Sequence, residues 1–143
     1  MIVSTKGRYA LRVMVDLAEH QGEGYVPLKE IAERQEISEK YLEAILKVLV
    51  REKLLTGLRG KGGGYRLSMD PEQYTVGRII RLTEGSLAPV ACLEPHADPC
   101  PRAAQCSTLP MWRAFDQVVN NFFDNYTIAD LIPAAQDGNN YVI

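Results

Sequence analysis

The sequence lacks the features of an exported or membrane-spanning chain. Residues 1–6 contain no apolar signal core, and no apolar run approaches the roughly 20 residues that a spanning helix needs. We therefore expect a cytoplasmic protein with no membrane partner. In a reducing cytosol, an odd set of three cysteines is not expected to form a disulfide framework.

Residue patterns of common enzyme sites are also missing. The glycine-rich residues 60–64 lack phosphate-loop spacing, there is no Cys-x-x-Cys pair, and the only histidines are His20 and His96. No pairing of a nucleophile with a base can be argued from these residues. The sequence therefore favours a binding protein over an enzyme such as a thiol oxidoreductase.

Basic residues are concentrated in one stretch of a chain whose net charge is −2. Beyond residue 70, the chain has four arginines and eight acidic residues. A DNA backbone responds to the local field, so a basic segment can bind it despite a mildly acidic total. A solvated helix face would give the same count, so charge alone leaves both interpretations open. Between residues 40 and 66, only Glu43 and Glu52 oppose Lys40, Lys47, Arg51, Lys53, Arg59, Lys61 and Arg66.

Three helices are predicted before residue 53. Apolar residues from Tyr9 to Ala18 recur at helical spacing, and a second, short helix is predicted to start at Pro27. Three residues separate the end of this helix from Ser38, a good N-cap for a third helix that runs to about Glu52. Two short helices joined by such a tight turn form the helix-turn-helix pattern.

The third predicted helix has an apolar and a polar face. The polar face carries Lys40 and Lys47, and a major groove accepts such a helix with its N-terminal residues nearest the base edges. Ser38, Lys40 and Tyr41 are therefore candidate DNA contacts, with Lys47 further along the helix. An ordinary amphipathic helix would show the same pattern if the chain stopped at residue 52. The predicted core face consists of Tyr41, Leu42, Ile45, Leu46 and Leu49.

A β-hairpin is predicted directly after the third helix. Residues 54–59 and 65–68 have the composition of short strands around a glycine-rich tip, where glycine permits positive φ and close approach. Arg59 and Lys61 near this tip suit a minor groove, whose narrow A·T tracts concentrate negative potential. Together these elements predict a mainly α fold with a small β-hairpin wing, a winged helix-turn-helix.

A long helix opened by Pro110 is predicted near the end of the chain. Its aromatic surface exceeds what one short domain can cover, which favours a dimerisation helix over a purely internal one. The expected organisation is a DNA-binding domain over residues 1–83, a cysteine-bearing loop over 84–107, and a dimerisation helix and tail over 108–143. Trp112, Phe115, Val119, Phe122 and Tyr126 follow heptad spacing, widened by Met111, Val118 and Phe123.

The loop between these helices contains Cys92, Cys100 and Cys106. Thiolates are soft ligands that hold iron–sulfur clusters and zinc, so three of them in one loop form a candidate metal site. Free thiols and a thiol pair that senses oxidants are the alternatives, and spacing alone does not decide among them.

Three motifs, in this order, resemble a known family. Residues 4–11 (STKGRYAL), 38–43 (SEKYLE) and 59–65 (RGKGGGY) are similar to those of the Rrf-type winged helix-turn-helix transcription regulators. That family includes the iron–sulfur sensors IscR and NsrR and the cysteine-metabolism repressor CymR. The resemblance covers essentially the whole chain. It implies a homodimer crossed by the long helix, with recognition helices in successive major grooves of a double-stranded DNA operator and wings in the minor groove.

Cluster-binding members of that family carry three cysteines in this loop. The resemblance therefore implies an iron–sulfur cluster, [2Fe–2S] or [4Fe–4S], on the three cysteines. The fourth ligand does not carry over, because IscR-like members have a histidine where this chain has Leu109. NsrR-like members use an acid near the start of the first helix, where this chain has Arg8. Glu94, His96 and Asp98 remain candidates within the loop.

The sequence thus predicts a DNA-binding regulator, a repressor, whose activity is set by a cluster. The alternative is a cluster-free, CymR-like repressor that is controlled by a regulatory protein partner or by thiol oxidation. The short tail ending in Tyr141, Val142 and Ile143 is similar to that branch.

Overall fold

The computed structural model of the protein describes residues 3–133. The predicted mainly α fold with a small hairpin is confirmed, and no described helix has the length and apolar character needed to cross a membrane. The tail residues Tyr141 to Ile143 lie outside the described range. The elements are α1 Thr5–His20, α2 Leu28–Gln35, α3 Glu39–Arg51, β1 Leu55–Leu58, β2 Gly64–Leu67, α4 Val76–Glu84, α5 Leu109–Asp124 and α6 Ile128–Leu131.

The helix-turn-helix is formed by α2, α3 and the tight turn between them. Pro27 takes the N-cap position with an extended backbone, so α2 begins one residue later than predicted. Glu36 ends α2 in the left-handed conformation, at a φ of 55°, which reverses the chain within three residues. The predicted N-cap of α3 is confirmed, because the Ser38 hydroxyl accepts a hydrogen bond from the Tyr41 backbone N–H at 3.2 Å.

The core of this domain packs α1 against α3, α4 and the base of the hairpin. The predicted burial of Tyr41 is wrong, since its side chain remains 40% exposed and packs edge-to-face on Tyr9. The line of buried residues on α3 begins at Leu42, and one residue earlier the side chain is rotated by about 100° around the helix. The buried residues of α3 are Leu42, Ile45, Leu46 and Leu49.

A buried carboxylate joins α1 to α2. The Asp16 side chain has no exposed surface and accepts hydrogen bonds from Arg34 Nε and Nη2 at 3.0 and 2.8 Å and from Gln35 Nε2 at 2.8 Å. Burial by itself raises the pKa of Asp16, but these hydrogen bonds and the charge of Arg34 outweigh it and hold the pKa below its ordinary value. The pair fixes the helix-turn-helix onto α1.

The wing is an antiparallel hairpin whose register runs from Leu55 opposite Leu67 to Leu58 opposite Gly64. Val26, which precedes α2, adds a bridge to Tyr65 through two backbone hydrogen bonds of 2.8 and 2.9 Å. Gly64 lies at a φ of 145°, and a Cβ there would collide with the Val26 carbonyl. The wing is therefore attached to the segment before α2 near the tip end of its ladder, and residues 59–63 of the tip extend beyond this bridge.

Helix α5 is anchored to α4 through a small second core and a polar clamp. The core contains Val76, Ile80, Leu87 and Val119. Arg81 of α4 donates to Asn120 Oδ1 at 2.9 Å and to Asp124 Oδ2 at 2.8 Å, both on α5. The connecting segment forms only two short 3-10 turns, Ala91–Leu93 and Ala103–Gln105, and it carries all three cysteines.

Candidate nucleic-acid interface and cysteine cavity

One groove runs between α3 and the hairpin. It has a volume of about 380 Å³ and is open to solvent. Lys47 of α3 and Arg59 of the hairpin line it together with Glu43, although they are distant in sequence. The remaining lining residues are Val50, Gly57, Leu58, Gly64 and Tyr65.

The first turn of α3 presents the other predicted contacts. Ser38, Lys40 and Tyr41 are all exposed. The hydroxyl oxygen of Ser38 already accepts the N-cap hydrogen bond, but the hydroxyl hydrogen can still be donated to an acceptor. Two residues that no sequence pattern indicated support this turn. Tyr9 packs against Tyr41, and the guanidinium of Arg12 lies 4.8 Å from the centre of the Tyr9 ring.

The wing tip carries two exposed cations. Gly60 and Gly62 adopt φ values of 89° and 77°, in the left-handed region that favours glycine. These two turns keep the tip narrow and leave Arg59 and Lys61 exposed on it. A narrow cationic hairpin has the shape and charge that a minor groove accepts.

The apolar stripe predicted along α5 is divided between two faces. Val119 is buried against α4, and Trp112 and Phe123 are half-buried. The other large apolar side chains are exposed on the surface of the protomer, and we call this row the α5 seam. The seam consists of Met111, Phe115, Val118 and Phe122, followed by Tyr126, with exposures of 55, 43, 63, 55 and 42%.

The structure brings Cys92, Cys100 and Cys106 together, because all three line one cavity of about 190 Å³. Cys92 and Cys100 are exposed, and Cys106 is partly buried. The Sγ of Cys106 lies 3.5 Å from the Thr108 hydroxyl, and this hydrogen bond lowers the pKa of the thiol. The other lining residues are Leu93, Pro99, Ala103, Leu109 and Arg113.

The fourth-ligand candidates do not join this cavity. Among the described residues that line it, none is Glu94, His96 or Asp98, and Leu109 supplies an apolar wall. Within residues 3–133 no group of three His, Cys, Asp or Glu side chains is arranged to hold a single metal ion. The fit of a metal group to these residues therefore rests on the chemistry of three thiolates that line one cavity, which suits an iron–sulfur cluster or zinc.

A helix-turn-helix and a wing that expose cations along one groove define the winged-helix class of DNA-binding proteins. The family model of Rrf2, described as "Iron-dependent Transcriptional regulator", matches residues 3–134. The chain belongs to the Rrf2 family. It is a DNA-binding transcriptional regulator and not an enzyme, which confirms the predicted class.

Named relatives come from two branches of this family. The chain is 39% identical to the HTH-type transcriptional regulator IscR of Sodalis glossinidius over 132 residues, which cover 92% of this chain and 79% of that protein. The solved structure of CymR from B. subtilis superposes with a TM-score of 0.74 at 38% identity and covers 92% of this chain and 95% of that one. T. potens IscR gives a TM-score of 0.71 at 38% identity, over 92% and 85% of the two chains.

Proposed function

We propose that this regulator is a cytoplasmic homodimer that represses transcription by binding a double-stranded DNA operator, and that an iron–sulfur cluster on Cys92, Cys100 and Cys106 sets its affinity for DNA. The observation that carries the proposal is the cavity that all three cysteines line, in the segment between the DNA-binding domain and the α5 seam. The similarity to IscR proteins supports it.

The DNA-binding surface of the proposal has two parts. The first turn of α3, with Ser38, Lys40 and Tyr41, enters a major groove and contacts base edges. Arg59 and Lys61 of the wing enter the adjacent minor groove, and Lys47 lies in the groove between the two parts. Cations that neutralise phosphates release counterions, so this surface binds any duplex weakly and its operator more tightly.

The α5 seam is the proposed dimer interface. It is an uninterrupted row of large apolar side chains on a helix of 16 residues, about 24 Å long. A twofold axis places the same row on both partners, so one seam covers the other. Because α5 is clamped to α4 by Arg81, the geometry of the seam also fixes the distance between the two recognition helices.

The cluster is proposed to act through this geometry. Bound to the three thiolates, it would supply a redox-active and oxygen-sensitive group. The cysteine segment connects α4, which packs on α1, to α5, which carries the seam. A change in the path of that segment that moves α5 relative to its clamp on α4 tilts each DNA-binding domain relative to the dimer axis, and this shifts the balance between DNA-competent and incompetent dimers.

The test is anaerobic reconstitution of wild type, Cys100→Ala and a control, Ser107→Ala, which changes an exposed side chain of the same segment. We expect iron, sulfide and visible absorption bands in wild type and Ser107→Ala, and a reduced content in Cys100→Ala. If wild type takes up no more iron and sulfide than Cys100→Ala, the cluster proposal is wrong. The structural similarity to CymR then favours a cluster-free repressor that is controlled by a partner protein or by thiol oxidation.

A further inference from the structure

One charged side chain lines the cysteine cavity, and it belongs to Arg113. Arg113 follows Leu109 by four residues, so the two side chains lie on the same face of α5, one turn apart. Both line the cavity, which shows that this face of α5 is directed at the cysteine segment. Arg113 is exposed, and none of the four ion pairs recorded among residues 3–133 involves it.

The chemistry of the cavity favours a cation at this place. Three thiolates contribute three negative charges within one small space, and the net charge and the hydrogen bonds to sulfur control the reduction potential of a cluster. Arginine remains protonated at every physiological pH and offers five N–H donors. Leu109 occupies the neighbouring wall with an apolar side chain, so Arg113 supplies the polar contact on the α5 side of the cavity.

We infer that Arg113 is a positioning residue of the cysteine cavity: its guanidinium is directed at the thiolate sulfurs of the bound cluster, offsets their negative charge, and thereby raises the reduction potential of the cluster and slows its loss. The inference rests on the proposed function, because it presupposes a cluster on the three cysteines. It assigns a role to a residue of the helix that also carries the α5 seam, and so connects the state of the cluster to the dimer helix directly.

Arg51 offers a matched control. It is an exposed arginine at the end of α3, and its removal changes the net charge by the same amount, but it is not among the residues that line the cavity. A general effect of protein charge would therefore appear equally in Arg51→Gln and Arg113→Gln. An effect of the cavity would appear in Arg113→Gln alone.

The experiment reconstitutes full-length wild type, Arg113→Gln, Arg113→Lys and Arg51→Gln anaerobically. The readouts are iron and sulfide content, the midpoint potential from a dye-mediated titration, and the rate at which the visible bands bleach in air. We expect Arg113→Gln to bind a cluster of lower potential that bleaches several-fold faster, Arg113→Lys to restore most of the potential, and Arg51→Gln to match wild type.

Two results overturn the inference while leaving the proposed function intact. One is a loaded Arg113→Gln variant with the potential and bleaching rate of wild type. The other is an equal shift in Arg51→Gln, which would mean that net charge and not the cavity is responsible. A wild type that takes up no iron and sulfide overturns the cluster proposal and this inference together. Thermal unfolding of the cluster-free variants separates these effects from misfolding, because exposed Arg113 is expected to leave the melting temperature unchanged.

Discussion

Replacing Phe122 by Asp introduces a charge into the α5 seam, between Val118 and Tyr126. Because the Phe122 side chain is 55% exposed in the protomer, we expect the variant to fold. The substitution should instead reduce the free energy of dimer association. Burying the exposed half of a phenylalanine contributes about 1–1.5 kcal/mol, and twofold symmetry doubles the loss to about 2–3 kcal/mol. Two unpaired carboxylates that face an apolar seam reduce the free energy of association by at least the same amount, so the total loss is about 5 kcal/mol. The dimer dissociation constant should rise by about 10³–10⁴.

Sedimentation velocity at micromolar protein measures this change. The control is Gln117→Asp, which adds the same charge to an exposed position of α5 outside the seam and is expected to remain dimeric. Phe122→Asp should sediment as a monomer with an unchanged circular dichroism spectrum, and should retain weak binding to half-sites. If it sediments as a dimer like the control, the seam is not the interface and the argument from its exposure is refuted.

Four further substitutions test other parts of the account. Arg59→Ala should weaken binding to specific and non-specific duplexes alike in gel shifts, and an unchanged affinity would contradict its assignment to the wing contact. Lys40→Ala should alter the preference among operators, and equal losses on all sequences would contradict its assignment to base contacts. Tyr74→Phe removes a buried hydroxyl that donates to the Leu54 carbonyl and accepts from two backbone N–H groups, and should lower the free energy of unfolding by about 2 kcal/mol in thermal melts. A cost no larger than that of the half-buried control Tyr25→Phe would contradict this role. Because the pKa of Asp16 lies below its ordinary value of 3.8, its stabilisation is complete above that pH and is lost as the pH falls further. The free energy of unfolding measured in urea should therefore fall more steeply below about pH 4 for wild type than for Asp16→Asn. Parallel pH profiles of the two proteins would argue against the buried pair.

The local features of the fold were predictable because each depends on neighbouring residues. Ser38 caps α3 through its own hydroxyl, and the glycines of the wing tip are where positive φ is needed. The bridge between Val26 and Tyr65 was not predicted, because it joins segments distant in sequence and depends on how the hairpin folds back. Tyr41 was misassigned because apolar spacing locates the buried face of a helix only to within about one residue.

The candidate site was predictable in its residue types but not in its geometry. Sequence spacing identified Cys92, Cys100 and Cys106, while their convergence on one cavity depends on the packing of α5 against α4. The same packing turns Arg113 toward that cavity, and no local pattern indicates this. The heptad pattern on α5 likewise combined two faces, and only the position of α4 shows that Val119 faces inward and Phe122 outward.

The most direct test of the account is the DNA affinity of one protein preparation with and without its cluster. An operator is selected from random duplexes with anaerobically reconstituted protein, and anisotropy titrations at fixed salt then compare the loaded and cluster-free forms of wild type and Cys100→Ala. We expect the affinity of wild type to change at least about tenfold, equivalent to about 1.4 kcal/mol, on loss of the cluster, and that of Cys100→Ala to stay constant. Equal affinities of loaded and cluster-free wild type would contradict the proposal that the cysteine cavity controls the DNA-binding surface.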